Sequence, residues 1–307
     1  MIKRRDIEST DADISAMQSL CRRLWATGTG WHIGDMAWGR RQHIGRDPEW
    51  PTGVWERHAA DDAATAANAP DADVLAWAWV RLPGHLDLAI DPSHPELGPE
   101  IMAWFREVAI SDQLTAYALD TEPHLIAAFE AAGFREVPDD RFSWQYRHDL
   151  RSLAEPRVPD GFTLRPLRGD EDVPRRVDVH RSAFHPSRVT PESYANVRAS
   201  WPYRQDLDWV VEAPDGRFAA FCLIWYDERN QAGLLEPVGA HQDFRRLGLA
   251  RAACLGAMRA LRDLGGTEAA VNSSGAADNP GPRALYHSLG FVDHARTLKY
   301  VGDRVTT

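Results

Sequence analysis

The feature that most constrains the fold of this chain is a short segment that occurs twice. Residues 128–134 read AFEAAGF and residues 285–291 read LYHSLGF, at an offset of 157 residues. Repeats of solenoid proteins recur at much shorter periods, so this spacing indicates a duplicated domain. The length of 307 residues agrees with two domains of ordinary size.

A polar segment with two prolines, residues 149–160, separates the two copies and lacks apolar periodicity. It predicts a linker between a first domain at 1–148 and a second at 161–307. After the linker, the apolar patterns give the element order β-α-α-β-β-β-α-β-α-β. The first copy repeats this order with less definition. Its residues 27–56 are rich in glycine and tryptophan, and we expect either a lid or a helix there.

Composition limits the partners of the chain. Acidic residues outnumber basic ones by 45 to 35, for a net charge of −10, which argues against nucleic acid or an anionic membrane. The sequence has no apolar run of about 18 residues and no signal-peptide pattern, so we expect a cytoplasmic protein. Its three widely spaced cysteines form no metal or disulfide motif, and we expect no metal site.

The most informative segment is residues 238–250, VGAHQDFRRLGLA, in which a strand ends and a long helix begins. Backbone N–H groups in the first turn of a helix lack intrahelical acceptors and can converge on an anion. Gly248 and Ala250 are small, and the cations Arg245, Arg246 and Arg251 lie beside them. The pattern is neither a Walker loop nor a Rossmann turn. The alternative is a basic helix start whose glycine serves packing.

A second motif further along the chain makes the interpretation of the first one specific. Asn279, the pair Leu285–Tyr286 and the pair Gly290–Phe291 follow, beginning 34 residues after Arg245. The two motifs together resemble the GNAT superfamily of N-acetyltransferases, whose pyrophosphate loop is written R/Q-x-x-G-x-G/A. The resemblance covers the C-terminal half well and the first half in outline. It implies an α/β (mixed α+β) fold: two GNAT-fold domains, each a mostly antiparallel, centrally splayed mixed sheet flanked by helices.

The resemblance also implies a co-substrate and its site. Acetyl-CoA would lie in a V-shaped gap between the strands at 234–240 and 267–272, with the second domain as the catalytic one. Backbone N–H groups near Val238 and Ala240 would meet the thioester carbonyl, and Gly239 fits a bulge between them. The expected cofactor-binding residues are Val238, Gly239, Ala240, Arg245, Arg246, Leu247, Gly248, Leu249, Ala250, Arg251 and Asn279.

Acetyl transfer to an amine needs an acid for the leaving thiolate and a base for the ammonium. The resemblance assigns Tyr286 as the acid and Glu236 as the base; a packing tyrosine and a different base are the alternatives. Asn279 would hold the pantetheine arm or cap a helix. Other candidates for the base are His241, Asp227, Glu228 or an ordered water. Acidic and aromatic residues that suit a cationic acceptor are Trp201, Tyr203, Asp206, Asp208, Trp225 and Tyr226.

The first copy lacks these groups. Phe129 stands at the position of Tyr286 and Glu122 at that of Asn279, while its loop holds Pro99 and the acidic Glu96 and Glu100. Proline has no N–H to donate and carboxylates repel a pyrophosphate. We therefore expect a degenerate first domain that serves as scaffold or lends a wall such as Trp31, Trp38 or Trp50 to the acceptor cleft.

The function expected from these motifs is acetyl-CoA-dependent transfer to a primary amine of a small molecule, by direct attack in a ternary complex. A non-catalytic acyl-CoA sensor, or transfer of a longer acyl group or to oxygen, remains an alternative. The sequence leaves the acceptor open, and it allows a monomer or a homodimer.

Overall fold

The computed structural model describes residues 1–8, 10–57, 74–138 and 142–304. The chain forms two compact units, each built from segments that are distant in sequence. The first unit contains Met1–His32, Gly45–Phe142 and Ala295–Thr307, and the second contains Ile33–Ile44 and Ser143–His294.

Helices and strands follow one another along the described residues in the order below. The first part comprises β1 (Ile2–Asp6), α1 (Asp11–Leu24), α2 (Ile33–Arg41), β2 (Thr52–Arg57), β3 (Val74–Arg81), β4 (His85–Ile90), α3 (Leu97–Val108), β5 (Gln113–Leu119), α4 (Pro123–Ala131), β6 (Arg135–Val137) and β7 (Ser143–His148). The second part comprises β8 (Thr163–Pro166), α5 (Val173–Ala183), α6 (Pro191–Ala199), β9 (Asp208–Glu212), β10 (Phe218–Asp227), β11 (Ala232–Ala240), α7 (Leu249–Asp263), β12 (Glu268–Ser274), α8 (Gly281–Leu289) and β13 (Val292–Asp303).

The two units have sheets of the same design. In the first unit the strands follow the order β1-β2-β3-β4-β5-β13, and β6 also pairs with β13. In the second unit the order is β7-β12-β11-β10-β9-β8. Among the described residues each sheet contains one parallel pair, β4 with β5 and β11 with β12, while the other ladders within each sheet are antiparallel. The mixed, mostly antiparallel sheets that the sequence predicted are therefore confirmed, and their common design fits a duplicated domain.

Both units incorporate a strand from the other half of the sequence. The strand β7, which precedes the predicted linker, pairs with β12 from Ala269–His148 to Ser274–Ser143. The last strand, β13, pairs with β5 from Thr297–Leu119 to Asp303–Gln113 in the first unit. The compact units thus differ from the predicted limits 1–148, 149–160 and 161–307, and residues 149–160 connect two strands of the same unit. Apolar patterning predicts that a segment is a strand, but it does not predict which other strand pairs with it.

The core of the second unit lies between the sheet and the helices α7 and α8. The apolar face of α7 buries Leu249, Cys254, Met258 and Leu261 against strands β10 and β11. All three cysteines, Cys21, Cys222 and Cys254, are buried. This long helix fixes the position of the loop that precedes it.

The glycine-rich and tryptophan-rich stretch contains the helix α2. It packs against α6, β10 and β11 within the second unit. The backbone at Gly34 lies directly on Trp225, because a Cβ placed on Gly34 would be 2.3 Å from the Cβ of Trp225. Only glycine allows this close approach. Of the three tryptophans expected to line an acceptor cleft, Trp38 belongs to this helix, whereas Trp31 and Trp50 belong to the first unit.

Candidate functional site

A gap opens in the middle of the second-unit sheet. The parallel ladder between β11 and β12 covers three pairs, from Ala232–Glu268 to Leu234–Ala270. Beyond them β11 follows β10 as far as Ala240, while β12 follows β7 as far as Ser274. The strands therefore diverge, and their facing backbone edges are available to an extended ligand. This is the central splay that the sequence resemblance implied.

A bulge lies on the β11 side of the gap. Cys222 pairs with Val238 and Ile224 pairs with Leu235, so that Glu236 and Pro237 together face the single residue Leu223. Proline interrupts a ladder and is found in sheets at bulges or edges, which accounts for the irregularity here. A bulge bends the strand and redirects its side chains, and here it occurs at the candidate base.

Glu236 has an unusual electrostatic environment. Its side chain is half-buried, and its backbone carbonyl accepts a hydrogen bond of 2.6 Å from Nε1 of Trp225. Burial, followed by the negative charge of Asp35, raises the pKa of the Glu236 carboxyl to about 8. A general base works best when its pKa lies near the working pH. Glu236 is therefore a stronger base, once ionised, than an exposed glutamate.

Tyr286 lies on α8 and is only 6% exposed. Burial, together with the nearby Cys254 and Glu236, raises the pKa of its phenol above the ordinary value. Its ring packs against Tyr146 and Phe291, with ring centres 5.7 and 5.8 Å away. Within the described part of the chain the Tyr286 hydroxyl makes no hydrogen bond. The phenol is therefore protonated at neutral pH and its proton is available for donation to a ligand.

Seven consecutive backbone amides precede and begin α7. The N–H groups of residues 245–251 donate to no acceptor among the residues that the structure describes, whereas the preceding amide of Phe244 bonds to the carbonyl of His241. The first intrahelical bond in this region runs from the Ala252 amide to the Gly248 carbonyl. Unpaired amides at a helix N-terminus form a site for an anion.

The backbone of this loop is held in an unusual conformation. Arg246 and Gly248 both have positive φ angles, 65° and 76°. A Cβ on Gly248 would meet no atom within 4 Å. The glycine is thus required by its φ angle, since open space surrounds it. Packing against the protein, the alternative explanation for this glycine, does not apply.

The side chains of the loop point mainly to solvent. Arg245, Arg246 and Leu247 are exposed, Leu249 is buried in the core, and Ala250 is half-buried. Arg245 and Arg251 reach the backbone carbonyls of Ala183 and Ser288 at 3.4 and 3.3 Å. In an acidic protein these guanidinium groups produce a local positive potential.

The remaining expected cofactor residues differ in their surroundings. Val238, Gly239 and Ala240 are half-buried at the end of β11. A Cβ on Gly239 would lie 2.7 Å from the Phe221 ring and 2.8 Å from Ala183. This glycine therefore serves packing against α5, and the bulge lies at Glu236 and Pro237 instead.

Asn279 is exposed and immediately precedes the N-cap of α8, which is Pro280. The N-cap position makes no side-chain capping bond, and the Asn279 side chain bonds to no described residue. A capping role for Asn279 is thus excluded, and its amide can face a ligand.

The other candidates for the base have structural contacts. Asp227 accepts hydrogen bonds from the turn that follows β10, at the Arg229 amide and the Asn230 side chain. Glu228 pairs with Arg204 at 3.4 Å, and His241 accepts a bond from the Asp243 amide. Among these acids only Glu236 lies at the bulge.

The expected acceptor residues separate into those that lie near Glu236 and those that have other surroundings. Trp225 contacts Glu236 directly, and Tyr203 lies 6.3 Å from Trp225 between ring centres. Asp208 is buried, where it binds Arg176, Tyr194 and Tyr203. Asp206 pairs with Arg204, Trp201 is 49% exposed, and Tyr226 belongs to the core beneath α7.

Sequence reasoning missed Asp35 and Tyr146, because both lie on elements assigned to the other domain.

The first unit has a similarly short parallel ladder, but it lacks the chemical groups of the site in the second unit. Its parallel ladder covers only His85–Thr115 and Leu86–Ala116. Three amides of its loop, those of His94, Leu97 and Gly98, are already bonded to carbonyls three residues earlier.

In the first unit, Phe129 stands at the position of Tyr286 and Glu122 at that of Asn279. Phe129 is fully buried against Tyr300 and has no hydroxyl. The carboxyl of Glu122 accepts bonds from the amides of Leu119 at 2.9 Å and Gly30 at 3.1 Å. These protein contacts occupy the end of β5, where the second unit has its gap.

Among the described helices, none combines the length and the apolar character that a membrane span requires. The same residues contain no group of three or more histidine, cysteine or acidic side chains arranged to hold a metal ion.

The chain has relatives of known name. It is 26% identical to a mycothiol acetyltransferase of Salinispora tropica over 230 residues, covering 70% of this chain and 72% of the relative. It is also 26% identical to a mycothiol acetyltransferase of Streptomyces coelicolor over 182 residues, covering 58% and 56%.

Solved structures share the fold over the whole chain. A tandem GNAT protein from the clavulanic acid biosynthesis pathway superimposes with a TM-score of 0.65 at 17% identity and covers 100% of both chains. A GCN5-related N-acetyltransferase from Sphaerobacter thermophilus gives a TM-score of 0.62 at 19% identity and covers 99% and 96%. At these identities the likeness concerns the fold.

The family model of the acetyltransferase (GNAT) family matches residues 176–291, which include the bulge, the loop and α8. Residues 176–291 thus match the acetyltransferase (GNAT) family, and the chain as a whole shares the fold of a tandem GNAT protein.

Proposed function

We propose that the chain is an acetyl-CoA-dependent N-acetyltransferase that acts on a primary amine of a small molecule by direct attack in a ternary complex. The observation that carries this proposal is the run of seven unpaired amides at residues 245–251. A run of this length at the start of a long helix, beside exposed arginines, suits a diphosphate.

The gap in the sheet supports the next step of the proposal. The pantetheine arm is an extended chain with two amides, and it would add to the free edge of β11 as a short strand does. This arrangement brings the thioester to the bulge at Glu236 and Pro237. Amides near Val238 and Ala240 are the proposed donors to the thioester oxygen, which gains negative charge during attack.

Glu236 and Tyr286 supply the proton transfers. Glu236, once ionised, takes a proton from the ammonium group of the acceptor. The free amine then attacks the carbonyl carbon and the C–N bond forms. The nitrogen releases its second proton to solvent, and the C–S bond breaks. Tyr286 donates its proton to the departing thiolate and is reprotonated from solvent. Both residues have raised pKa values, as a base near neutrality and an acid that stays protonated require.

The test is thiol release from acetyl-CoA with a panel of amines, amino acids and amine-containing antibiotics. The acceptor of the mycothiol acetyltransferases belongs in the panel because two relatives carry that name. We expect turnover with at least one amine and none without an acceptor. Tight acetyl-CoA binding by calorimetry with no turnover across the panel would favour an acyl-CoA sensor, and a preference for longer acyl-CoA or for alcohols would revise the reaction class.

A further inference from the structure

A cavity of about 320 Å³ lies in the first unit, beside the carboxyl end of β4 and the start of α4. Its walls include the apolar side chains of Leu24, Ala89, Ile90 and Pro123, together with the acidic Glu122. Pockets that hold small molecules have volumes of this order and combine an apolar lining with a few polar groups. All lining residues belong to the first unit, whereas the proposed acetyl-CoA site belongs to the second.

The carboxylate of Glu122 is held in place by backbone amides. Glu122 is only 5% exposed. One of its oxygens accepts a hydrogen bond from the Leu119 amide at 2.9 Å, and the other accepts one from the Gly30 amide at 3.1 Å. The hydroxyl of Thr29 donates a longer bond of 3.5 Å. Burial raises the pKa of the Glu122 carboxyl, against the opposing effect of these three donors.

Among the described residues, no cation balances this buried carboxylate. No lysine or arginine in that part of the chain pairs with Glu122 or contributes to its pKa. Residues 58–73, which lie outside the described ranges, contain neither lysine nor arginine. Arg23 lies 3.6 Å from Asp91, so its charge is matched by another acid. A buried carboxylate without a cation costs free energy, and a cationic ligand would remove that cost.

His124 offers a second acceptor to the cavity. Its Nε2 lies 3.1 Å from the carbonyl oxygen of Ile90, so Nε2 carries the proton and Nδ1 is the acceptor of the neutral ring. Burial lowers the pKa of His124, which keeps the ring neutral at pH 7. Within the described part of the chain, no protein group donates to this Nδ1.

Two hydroxyl groups of the wall have already committed their hydrogens. Thr27 donates to the carbonyl of Leu24 at 2.6 Å, and Thr29 donates to Glu122. The hydroxyl of Thr121, which also lines the cavity, can donate or accept. The hydrogen-bonding capacity left in the wall is therefore mainly that of acceptors, and a ligand that fits it must donate hydrogen bonds.

A simpler role for Glu122 is structural, because it ties the segment around Gly30 to the end of β5. That role accounts for the amide bonds but leaves the acceptor-lined cavity beside them unexplained. It uses one short hydrogen bond on each carboxylate oxygen, whereas a carboxylate has about four acceptor sites. Glu122 therefore retains the capacity to bind a cation.

We propose that this cavity binds a small organic ammonium ion, with its charged end on Glu122 and its alkyl part among Leu24, Ala89, Ile90 and Pro123. An ammonium group supplies N–H donors to a wall of acceptors, and its charge matches the buried carboxylate. The apolar lining favours an organic ion over an inorganic one. The site goes beyond the proposed acetyl transfer, because it lies in the unit that lacks the transfer groups and it holds the ligand without reaction.

The probe is n-butylammonium chloride, titrated into the full-length ¹⁵N-labelled protein with potassium chloride at equal ionic strength as the blank. The amides of Gly30 and Leu119 report on this site in particular, because both donate to Glu122. We expect saturable shifts of both amide signals with n-butylammonium. The neutral 1-butanol and the anionic sodium butyrate should bind at least tenfold more weakly.

Three variants test the wall of the cavity, each checked for a cooperative thermal transition by circular dichroism. Glu122→Gln keeps the size of the side chain and removes its charge, so the affinity for n-butylammonium should fall about tenfold, the loss of one charged hydrogen bond. Glu130→Gln makes the same change on an exposed residue of α4 and should bind like the wild type. Ala89→Val leaves Glu122 in place, fills part of the cavity and should also bind about tenfold more weakly.

The proposal is overturned if the wild type shows no saturable shifts, if a folded Glu122→Gln binds n-butylammonium as tightly, or if 1-butanol binds equally well. Equal shifts with potassium would contradict an organic ligand. If Glu122→Gln fails to fold, Ala89→Val decides, because unchanged affinity contradicts the site and weakened affinity supports it. None of these readouts involves thiol release, so the result is independent of the proposed function.

Discussion

One hydroxyl distinguishes the two copies of the repeated segment. Phe129 in the first unit is fully buried against Tyr300, and its counterpart in the second unit, Tyr286, packs in the same way but carries a hydroxyl without a protein partner. Although the Tyr286 side chain is mostly buried, its hydroxyl keeps some contact with solvent. Ring packing alone does not require a hydroxyl at this position, whereas proton donation to a ligand does.

Replacing Tyr286 with phenylalanine should separate catalysis from binding. The ring contacts remain and no protein hydrogen bond is lost, so we expect an unchanged or slightly raised melting temperature and unchanged acetyl-CoA affinity. Removing a general acid should lower kcat by about 100-fold. Tyr300→Phe makes the same chemical change in the first unit and should leave kcat unaltered. Full activity of Tyr286→Phe in the thiol-release assay would exclude the acid role.

The raised pKa of Glu236 predicts a pH dependence of both rate and stability. Activity requires the carboxylate, so kcat/KM should rise with pH and level off above about 8. The folded state binds this proton more tightly than the unfolded state, whose glutamate has the ordinary value of about 4.3. The contribution of Glu236 to stability is therefore full below that value and is lost as the pH rises through about 8.

Glu236→Gln tests both consequences. The variant should lose most activity at every pH, and its melting temperature should exceed that of the wild type at pH 9 but not at pH 4. Glu192→Gln, which changes an exposed residue of α6, should follow the wild type in both measurements. A rate profile with no inflection near pH 8 would argue for a base other than Glu236.

At the scale of the elements, the loop before α7 owes its function to backbone rather than to side chains. The φ angle of 76° at Gly248 aligns the loop amides, and no protein atom surrounds the position. Gly248→Ala should therefore cost about 1 kcal/mol of stability from the left-handed backbone alone. It should also weaken acetyl-CoA binding at least tenfold in calorimetry, because the amides no longer converge.

Gly216 offers a control for that experiment. It has a φ angle of 83° and equally open surroundings, but it lies in the turn between β9 and β10. Gly216→Ala should lose similar stability and keep its affinity for acetyl-CoA. Equal weakening in the two variants would mean that general destabilisation, rather than loop geometry, controls binding.

The sequence predicted those elements whose residues alternate between core and solvent. The helix α7 has a clear apolar face and glycines at both ends, and the long helix predicted to begin within residues 238–250 is found at Leu249–Asp263. For the stretch that contains α2 the sequence predicted either a lid or a helix, without bounds. Met36, Ala37, Trp38 and Arg40 are all buried and Gly34 and Gly39 interrupt the helix, so no polar face marks it. The loop was predictable because its function depends on spacing along the chain, while Asp35 was not, because its neighbours are distant in sequence.

At the scale of the whole molecule, neither unit is contained in one half of the chain. The second unit takes α2 and β7 from before residue 149, and the first unit takes the end of β13. A fragment of residues 149–307 would lack the strand that covers β12 and should show no cooperative thermal transition by circular dichroism. Co-expression with residues 1–148 should restore the transition, and autonomous folding of the fragment with acetyl-CoA binding would contradict the exchange of strands.

The position of β13 also determines when each unit can be finished on the ribosome. All segments of the second unit have been translated once residue 294 has been added, whereas the first unit waits for Ala295–Thr307. The half that is synthesised first is therefore completed last. Premature termination in the final strand should leave an open sheet edge beside β5, and such truncated chains should be the most prone to aggregate.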